Sequence, residues 1–215
     1  MTLKQAVSKL LVRFFINLHN FSYKRIGVFS IIAEGGMHPK HRLMNYHKFF
    51  IDNINEKDKI LDVGCGNGFL TYELAAKAKK VVAVDLSLNN IQLAKRKFPK
   101  DNIKYIHGDA TKLNSNEKFD VIVLSNVLEH IEDRVSFLLK MGQLADKFLI
   151  RVPMLNRDWL TYYKKEIGYE YRLDPTHKIE YTMESFKEEL SKAGLKIDSA
   201  SIQFGEIWAV VRKCQ

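Results

Sequence analysis

From Leu3 to Phe21 apolar residues recur at three- and four-residue spacing. Leu3, Val7, Leu10, Leu11, Phe14, Leu18 and Phe21 fall on one face at ~100° per residue. Lys9, Arg13 and Gln5 fall opposite, and Ile16 is the apolar exception on the polar side. The stripe predicts an amphipathic helix over 3–21. It is read as packed on the domain or on a second subunit, or as a basic helix lying on anionic lipid. Gly35, Gly36 and Pro39 then break the chain before a short helix expected over 42–54.

From residue 59 the pattern changes to short β-branched runs alternating with helical stretches. Strands are expected at 59–63, 80–84, 102–106, 119–124 and 147–152, and helices at 69–78, 88–97 and 134–144. Continuous apolar strands alternating with helices mean a mostly parallel, doubly wound α/β sheet. After Pro153 an irregular stretch runs to Tyr181. A helix over 183–193 ended by Gly194, and two strands at 196–202 and 207–211, close the chain. The division that follows is a basic helical arm or cap over 1–54 and a domain over 55–215.

The 215 residues, 46% hydrophobic and 27% charged, suit one globular domain with a small appendage and exclude a disordered chain or a disulfide-built miniprotein. The net charge of +9 is unevenly placed. Residues 1–50 carry eight Lys and Arg against a single acid, Glu34, so the remaining chain is nearly neutral. Cys65 and Cys214 form no metal-ligand spacing, and a reducing cytoplasm is expected. No uncharged apolar run approaches the ~18 residues of a membrane span, and Arg13 interrupts the only segment resembling a leader.

The most informative segment is Asp62-Val63-Gly64-Cys65-Gly66-Asn67-Gly68-Phe69, an apolar strand running through three alternating glycines into a helix. In a doubly wound sheet that turn lets a ligand approach backbone closely. A dinucleotide site would need glycine where Phe69 stands. Asp62, two residues before the first glycine, would repel a pyrophosphate and attract an ammonium. The ligand is therefore read as a cationic amino acid joined to a nucleoside. Asp85, at the end of the next strand, suits ribose hydroxyls, and Asp109, in His107-Gly108-Asp109-Ala110, suits the edge of an adenine.

With these residues the chain resembles the class I S-adenosylmethionine-dependent methyltransferases over about residues 58–151. The resemblance implies a Rossmann-like seven-stranded sheet of order 3-2-1-4-5-7-6, and S-adenosylmethionine as cofactor with S-adenosylhomocysteine as product. It puts Asp62, Gly64 and Gly66 at the methionine moiety, with Cys65, Asn67 and Gly68 in the same turn. Asp85 and Leu86 fall at the ribose, and Asp109 and Ala110 at adenine. Ser125 and Asn126, in the run 119–130, would lie beside the sulfonium, and Arg42 or Tyr46 would reach the methionine carboxylate. Residues 152–181 would form the acceptor lid.

The acceptor is narrowed by absences. No Asp/Asn-Pro-Pro-aromatic motif follows the fourth strand, and no cysteine stands there as a nucleophile. Glu129-His130 resembles the pair of the ubiquinone-type O-methyltransferases. The Glu that such enzymes often carry three positions earlier is Asn126 here, so no metal is expected. His177, in Asp174-Pro175-Thr176-His177, is a second candidate base, and Glu129, His130 and His177 are the catalytic set. Aromatic residues with Arg151, Arg157 and Arg172 suit a glycan-like or other small, anionic acceptor. The reading is an O-directed methyltransferase, monomeric or dimeric, with anionic membrane contact through 3–21. Its rivals are an RNA-directed methyltransferase or RNA-binding module using the basic arm, and a non-catalytic adaptor.

Overall fold

In the computed structural model, which describes residues 1–113 and 117–214, seven strands form one sheet of order β3-β2-β1-β4-β5-β7-β6. The strands are β1 (Lys59–Val63), β2 (Lys80–Asp85), β3 (Ile103–His107), β4 (Val121–Ser125), β5 (Lys147–Pro153), β6 (Leu195–Gln203) and β7 (Glu206–Lys213). β1 to β5 pair in parallel and β7 runs antiparallel between β5 and β6. The β6–β7 turn is Phe204-Gly205, both at positive φ, as a two-residue hairpin that follows the strand twist requires.

Eight helices accompany the sheet among the described residues: α1 (Leu3–Ala33), α2 (Lys40–Met44), α3 (Tyr46–Asp52), α4 (Phe69–Lys77), α5 (Leu88–Lys97), α6 (Arg134–Met141), α7 (Trp159–Glu166) and α8 (Met183–Lys192). Side chains alternate along β1. Leu61 and Val63 enter a core cluster with Phe148, Phe186 and Tyr181 on one face, while Ile60 joins Phe50, Leu74 and Trp208 on the other. Alternation also puts Asp62 on the α4 side, where Thr71 meets it. Tyr46, Phe50 and Ile54 belong to that second core, so α3 is packed into the body.

Three expectations change. The first helix continues to Ala33, because no breaker intervenes before Gly35 and Gly36. The helix expected over 42–54 is split by Asn45 at φ 48. The stretch after Pro153 is not wholly irregular: Asp158 caps α7 by accepting the Thr161 amide at 2.7 Å.

The larger surprise is the orientation of α1. Ile16, the apolar exception on the polar side, is the one residue of this helix that is buried. Leu3, Val7, Leu10, Leu11, Phe14, Leu18 and Phe21 are all exposed, so the stripe does not pack on the domain. The helix is held instead by its other face. Asn20 Nδ2 donates to the Glu170 carbonyl at 3.0 Å, and Lys164 Nζ donates to Asn20 Oδ1 at 2.7 Å.

Candidate active site

The carboxyl ends of β1, β2 and β4 converge on the glycine turn. Gly64, Gly66 and Gly68 all sit at positive φ, and the Gly64 and Cys65 amides both donate to the Val84 carbonyl. A Cβ on Gly64 would stand 2.8 Å from Val127 Cγ2, and one on Gly68 2.7 Å from Ala94 Cβ. Those two glycines serve packing as well as φ. Gly66 differs, since nothing lies within 4 Å of its would-be Cβ, and a ligand can rest on that backbone. Asn67 Oδ1 accepts from the Phe69 amide at 3.2 Å and shapes the entry to α4.

Asp85 ties the turn to β2. One carboxylate oxygen accepts the Gly66 amide at 2.8 Å, and the other accepts the Ser87 amide at 2.8 Å and Asn90 Nδ2 at 3.2 Å. Leu86, next to it, is exposed. Asp109 caps a single 3-10 turn that begins at Ala110. Its Oδ1 accepts the Thr111 amide and hydroxyl, and these bonds hold its carboxyl below the usual range. Asp62 is buried, with Thr71 Oγ1 donating at 2.5 Å, and burial pushes its carboxyl up to about 7. Near neutrality it is partly protonated, ready to ionise beside a cation. Burial likewise raises the Cys65 thiol, which makes it a packing residue and not a thiolate.

After β4 the backbone turns at Asn126, φ 56, whose Oδ1 is buried with no hydrogen-bond partner. A buried polar atom of this kind calls for a donor. Together with the open backbone at Gly66 and the acids on β1 to β3, it fits an amino-acid nucleoside cation lying across these strand ends. Ser125 Oγ lies 3.3 Å from Arg151 Nη1. Arg151 is itself buried, bidentate to Glu206 and 3.7 Å from the centre of the Tyr46 ring. The Tyr46 hydroxyl is 2.6 Å from His41 Nδ1, and His41 is kept neutral by burial and by His47, its pKa lowered to about 4. Tyr46 is thus a buried wall of this end. Arg42 is not drawn in: its guanidinium is exposed and paired with Glu34 at 3.1 Å.

On the other side of Asn126, Glu129, His130 and His177 come together, with donor atoms all within 4.8 Å of one another. The His130 and His177 rings meet edge-on, centroids 4.8 Å apart. Thr176 Oγ1 donates to Asp174 Oδ1 at 2.8 Å and therefore accepts from His130 Nδ1–H at 3.0 Å. His130 Nε2 is left with its lone pair. Burial and the neighbouring His177 hold His130 below the usual histidine range, hence neutral near pH 7. His177 is buried, and its Nδ1 faces Glu180 at 3.2 Å. Glu129 is fully buried with neither carboxylate oxygen partnered, and burial lifts its pKa to about 8. A neutral Glu129 beside two imidazoles can give or take a proton. With Glu129 ionised and both imidazoles neutral, the three present a donor set of a size to hold a divalent cation.

The segment 152–181, expected to form a lid, is held by contacts of its own. Met154 bridges to Tyr181, Arg157 pairs with Glu180, and the Lys178 amide donates to the Glu129 carbonyl at 2.6 Å. All three arginines expected to meet an anionic acceptor are engaged internally: Arg151 with Glu206, Arg157 with Glu180 and Arg172 with Glu170. The aromatic residues do not share a face either. Tyr181 is core and donates to Glu189, while Trp159 and Tyr162 are exposed. Sequence reading passed over Thr71, Asn90, Thr176 and Glu180 as parts of the site. Asp-Pro-Thr before His177 signals the turn, but nothing local announces that Arg151 pairs with a residue 55 positions away.

Comparison with known proteins falls on the same strands. A family model described as a methyltransferase domain matches residues 61–146. The ubiquinone biosynthesis O-methyltransferase of Pelagibacter ubique (strain HTCC1062) is 29% identical over 178 residues, covering 73% of this chain and 74% of that protein. The protein of the same name from Bartonella tribocorum is 36% identical over 119 residues, covering 54% of this chain and 48% of its own length. The chain thus spans about three-quarters of the first relative and about half of the second. Magnesium protoporphyrin IX methyltransferase from Synechocystis PCC 6803, solved with bound S-adenosylhomocysteine, superposes at a TM-score of 0.64 with 20% identity over 95% of this chain and 99% of that one. The chain is thus similar in sequence over 61–146, and in fold over nearly its whole length, to S-adenosylmethionine-dependent methyltransferases, and these comparisons support that class for it.

Proposed function

We propose that the protein methylates a hydroxyl of a small-molecule or glycan-like acceptor, with His130 as the base. The observation that carries this reading is the chain Asp174–Thr176–His130, which leaves His130 Nε2 unprotonated at the mouth beside Asn126. The relatives named O-methyltransferases support the choice of oxygen. S-adenosylmethionine supplies an electrophilic methyl carbon on a sulfonium. Bound there, it would give that methyl to the acceptor oxygen and leave as S-adenosylhomocysteine; the chain's own part is to take the hydroxyl proton on His130 Nε2. Asp174 and Thr176 fix the tautomer, and His177, oriented by Glu180, holds the ring from the side. Glu129 completes the set.

In the cofactor half the reading gives Gly64, Cys65, Gly66, Asn67, Gly68 and Asp62 the methionine moiety, Asp85 and Leu86 the ribose, and Asp109 and Ala110 the adenine. Ser125, Asn126 and Tyr46 complete that side. Arg42 would need to leave Glu34 to take part. Residues 1–54 serve as arm and cap to a domain over 55–215, working in the cytoplasm, a location supported by two free cysteines. With its arginines paired internally, the lid favours a neutral acceptor.

The test is an acceptor screen with labelled cofactor across phenols, sugars and amines. Transfer to hydroxyl compounds is expected, and transfer confined to amines would overturn the reading. A second reading, methylation of RNA, is favoured by the acid-free run from Met1 to Ala33 with its five cations. It requires salt-sensitive RNA binding, and no binding at low salt would remove it.

A further inference from the structure

The apolar face of α1 points away from the domain over its whole length. Leu3, Leu10, Phe14, Phe21, Phe29 and Ile32 are each between 58% and 82% exposed. They recur every ~3.6 residues and so form a straight stripe, not the 3.5-residue seam that winds two helices into a left-handed coil. At ~1.5 Å per residue the stripe runs about 45 Å, the form of a rod that lies on a flat surface. The same helix contains five cations and no acid. Lys4 lies on one flank of the stripe and Arg13 and Lys24 on the other, while the Arg25 guanidinium lies 5.3 Å from the Phe21 ring centre. No helix among the described residues is long and apolar enough to cross a membrane.

We propose that α1 lies in the headgroup layer of an anionic bilayer, its Leu and Phe face in the acyl boundary and its flanking cations on lipid phosphates. Two copies of this helix set face to face would bring ten cations together with no acid between them, so charge favours the lipid over a second copy. α7 meets α1 on the side away from that stripe, where Leu160 and Tyr163 line a groove of about 560 Å³ with Val12, Phe15 and Ile16. Trp159 opens that helix and is 76% exposed. The proposal stands on the surface alone and is independent of the methyl acceptor.

The test uses the full chain and sedimentation with vesicles of phosphatidylcholine, alone or mixed equally with phosphatidylglycerol. Retention at least about tenfold higher on the anionic vesicles, lost in high salt, is expected, because each neutralised contact is screened. Phe14→Glu with Phe21→Glu should abolish retention while leaving the thermal midpoint and cofactor binding in place, since both side chains are exposed. Lys4→Glu with Arg13→Glu should remove the preference for anionic lipid. Failure to bind either vesicle would overturn the proposal. So would a dimer in solution that the Phe14/Phe21 pair of substitutions dissolves, which would make a second copy the occupant.

Discussion

The two sides of the site handle their polar groups in opposite ways. On the glycine-turn side, Gly66 has open space above its backbone and Asn126 Oδ1 is buried without a donor, so capacity for a ligand is left over. On the other side the charges of 152–181 are spent, Arg157 on Glu180, Arg172 on Glu170 and His177 on Glu180, and the one group left over there among the described residues is the buried Glu129 carboxyl. A group held by its own chain positions others, whereas a group left over binds. The cofactor side therefore reads as a receptor and the lid as a frame around two imidazoles.

The strongest way to break that contrast is to remove a strut of the frame. Arg157→Ala would strip the wholly buried Glu180 of its guanidinium and leave it the Leu173 amide and His177, a loss at the lower end of about 3–5 kcal/mol in stability. Denaturant unfolding checks it, and an unchanged midpoint would mean that the lid is held by something else. Next in size, His130→Ala should lower kcat by about 10²–10⁴ with little change in cofactor affinity. A parallel loss of both would make His130 a structural residue. On the receptor side, Asp85→Ala should weaken S-adenosylmethionine binding by about 1.5–3 kcal/mol, measured by calorimetry. An effect on kcat alone would contradict the ribose assignment.

The next effect depends on pH. Glu129 titrates near 4.5 in an unfolded chain and near 8 in the fold, so the unfolded chain releases its proton first as pH rises. Stability should accordingly fall as pH climbs from the lower value through the higher one. Glu129→Gln should flatten that slope in chemical unfolding followed against pH. The smallest effect is expected on α1: Phe14→Ala, at an exposed site, should change stability by no more than about 0.5 kcal/mol without vesicles.

Much of the sheet could be read from residue order, because each strand is a short apolar run whose neighbours are set by right-handed crossovers. The expected strands 59–63, 80–84 and 147–152 differ from β1, β2 and β5 by at most one residue at an end. The acids on β1 to β3 could be read for the same reason: function there rides on strand ends, and strand ends are local. The arginines of 151–172 could not. Three basic residues among tyrosines look alike in sequence whether they await an anion or are already paired, and Glu206 is far from Arg151 along the chain.

Alone, the sequence determined the order of elements, the glycine turn with its acids, the placement of Glu129 and His130 after β4, and the existence of an apolar stripe on α1. Tertiary structure decided which groups remain unpartnered. It brought His177 and Thr176 to His130, took the lid arginines out of play, and buried Ile16 in place of the stripe. Periodicity reports that a helix has an apolar face. Which face meets the domain depends on contacts with Glu170 and Lys164, more than a hundred residues away.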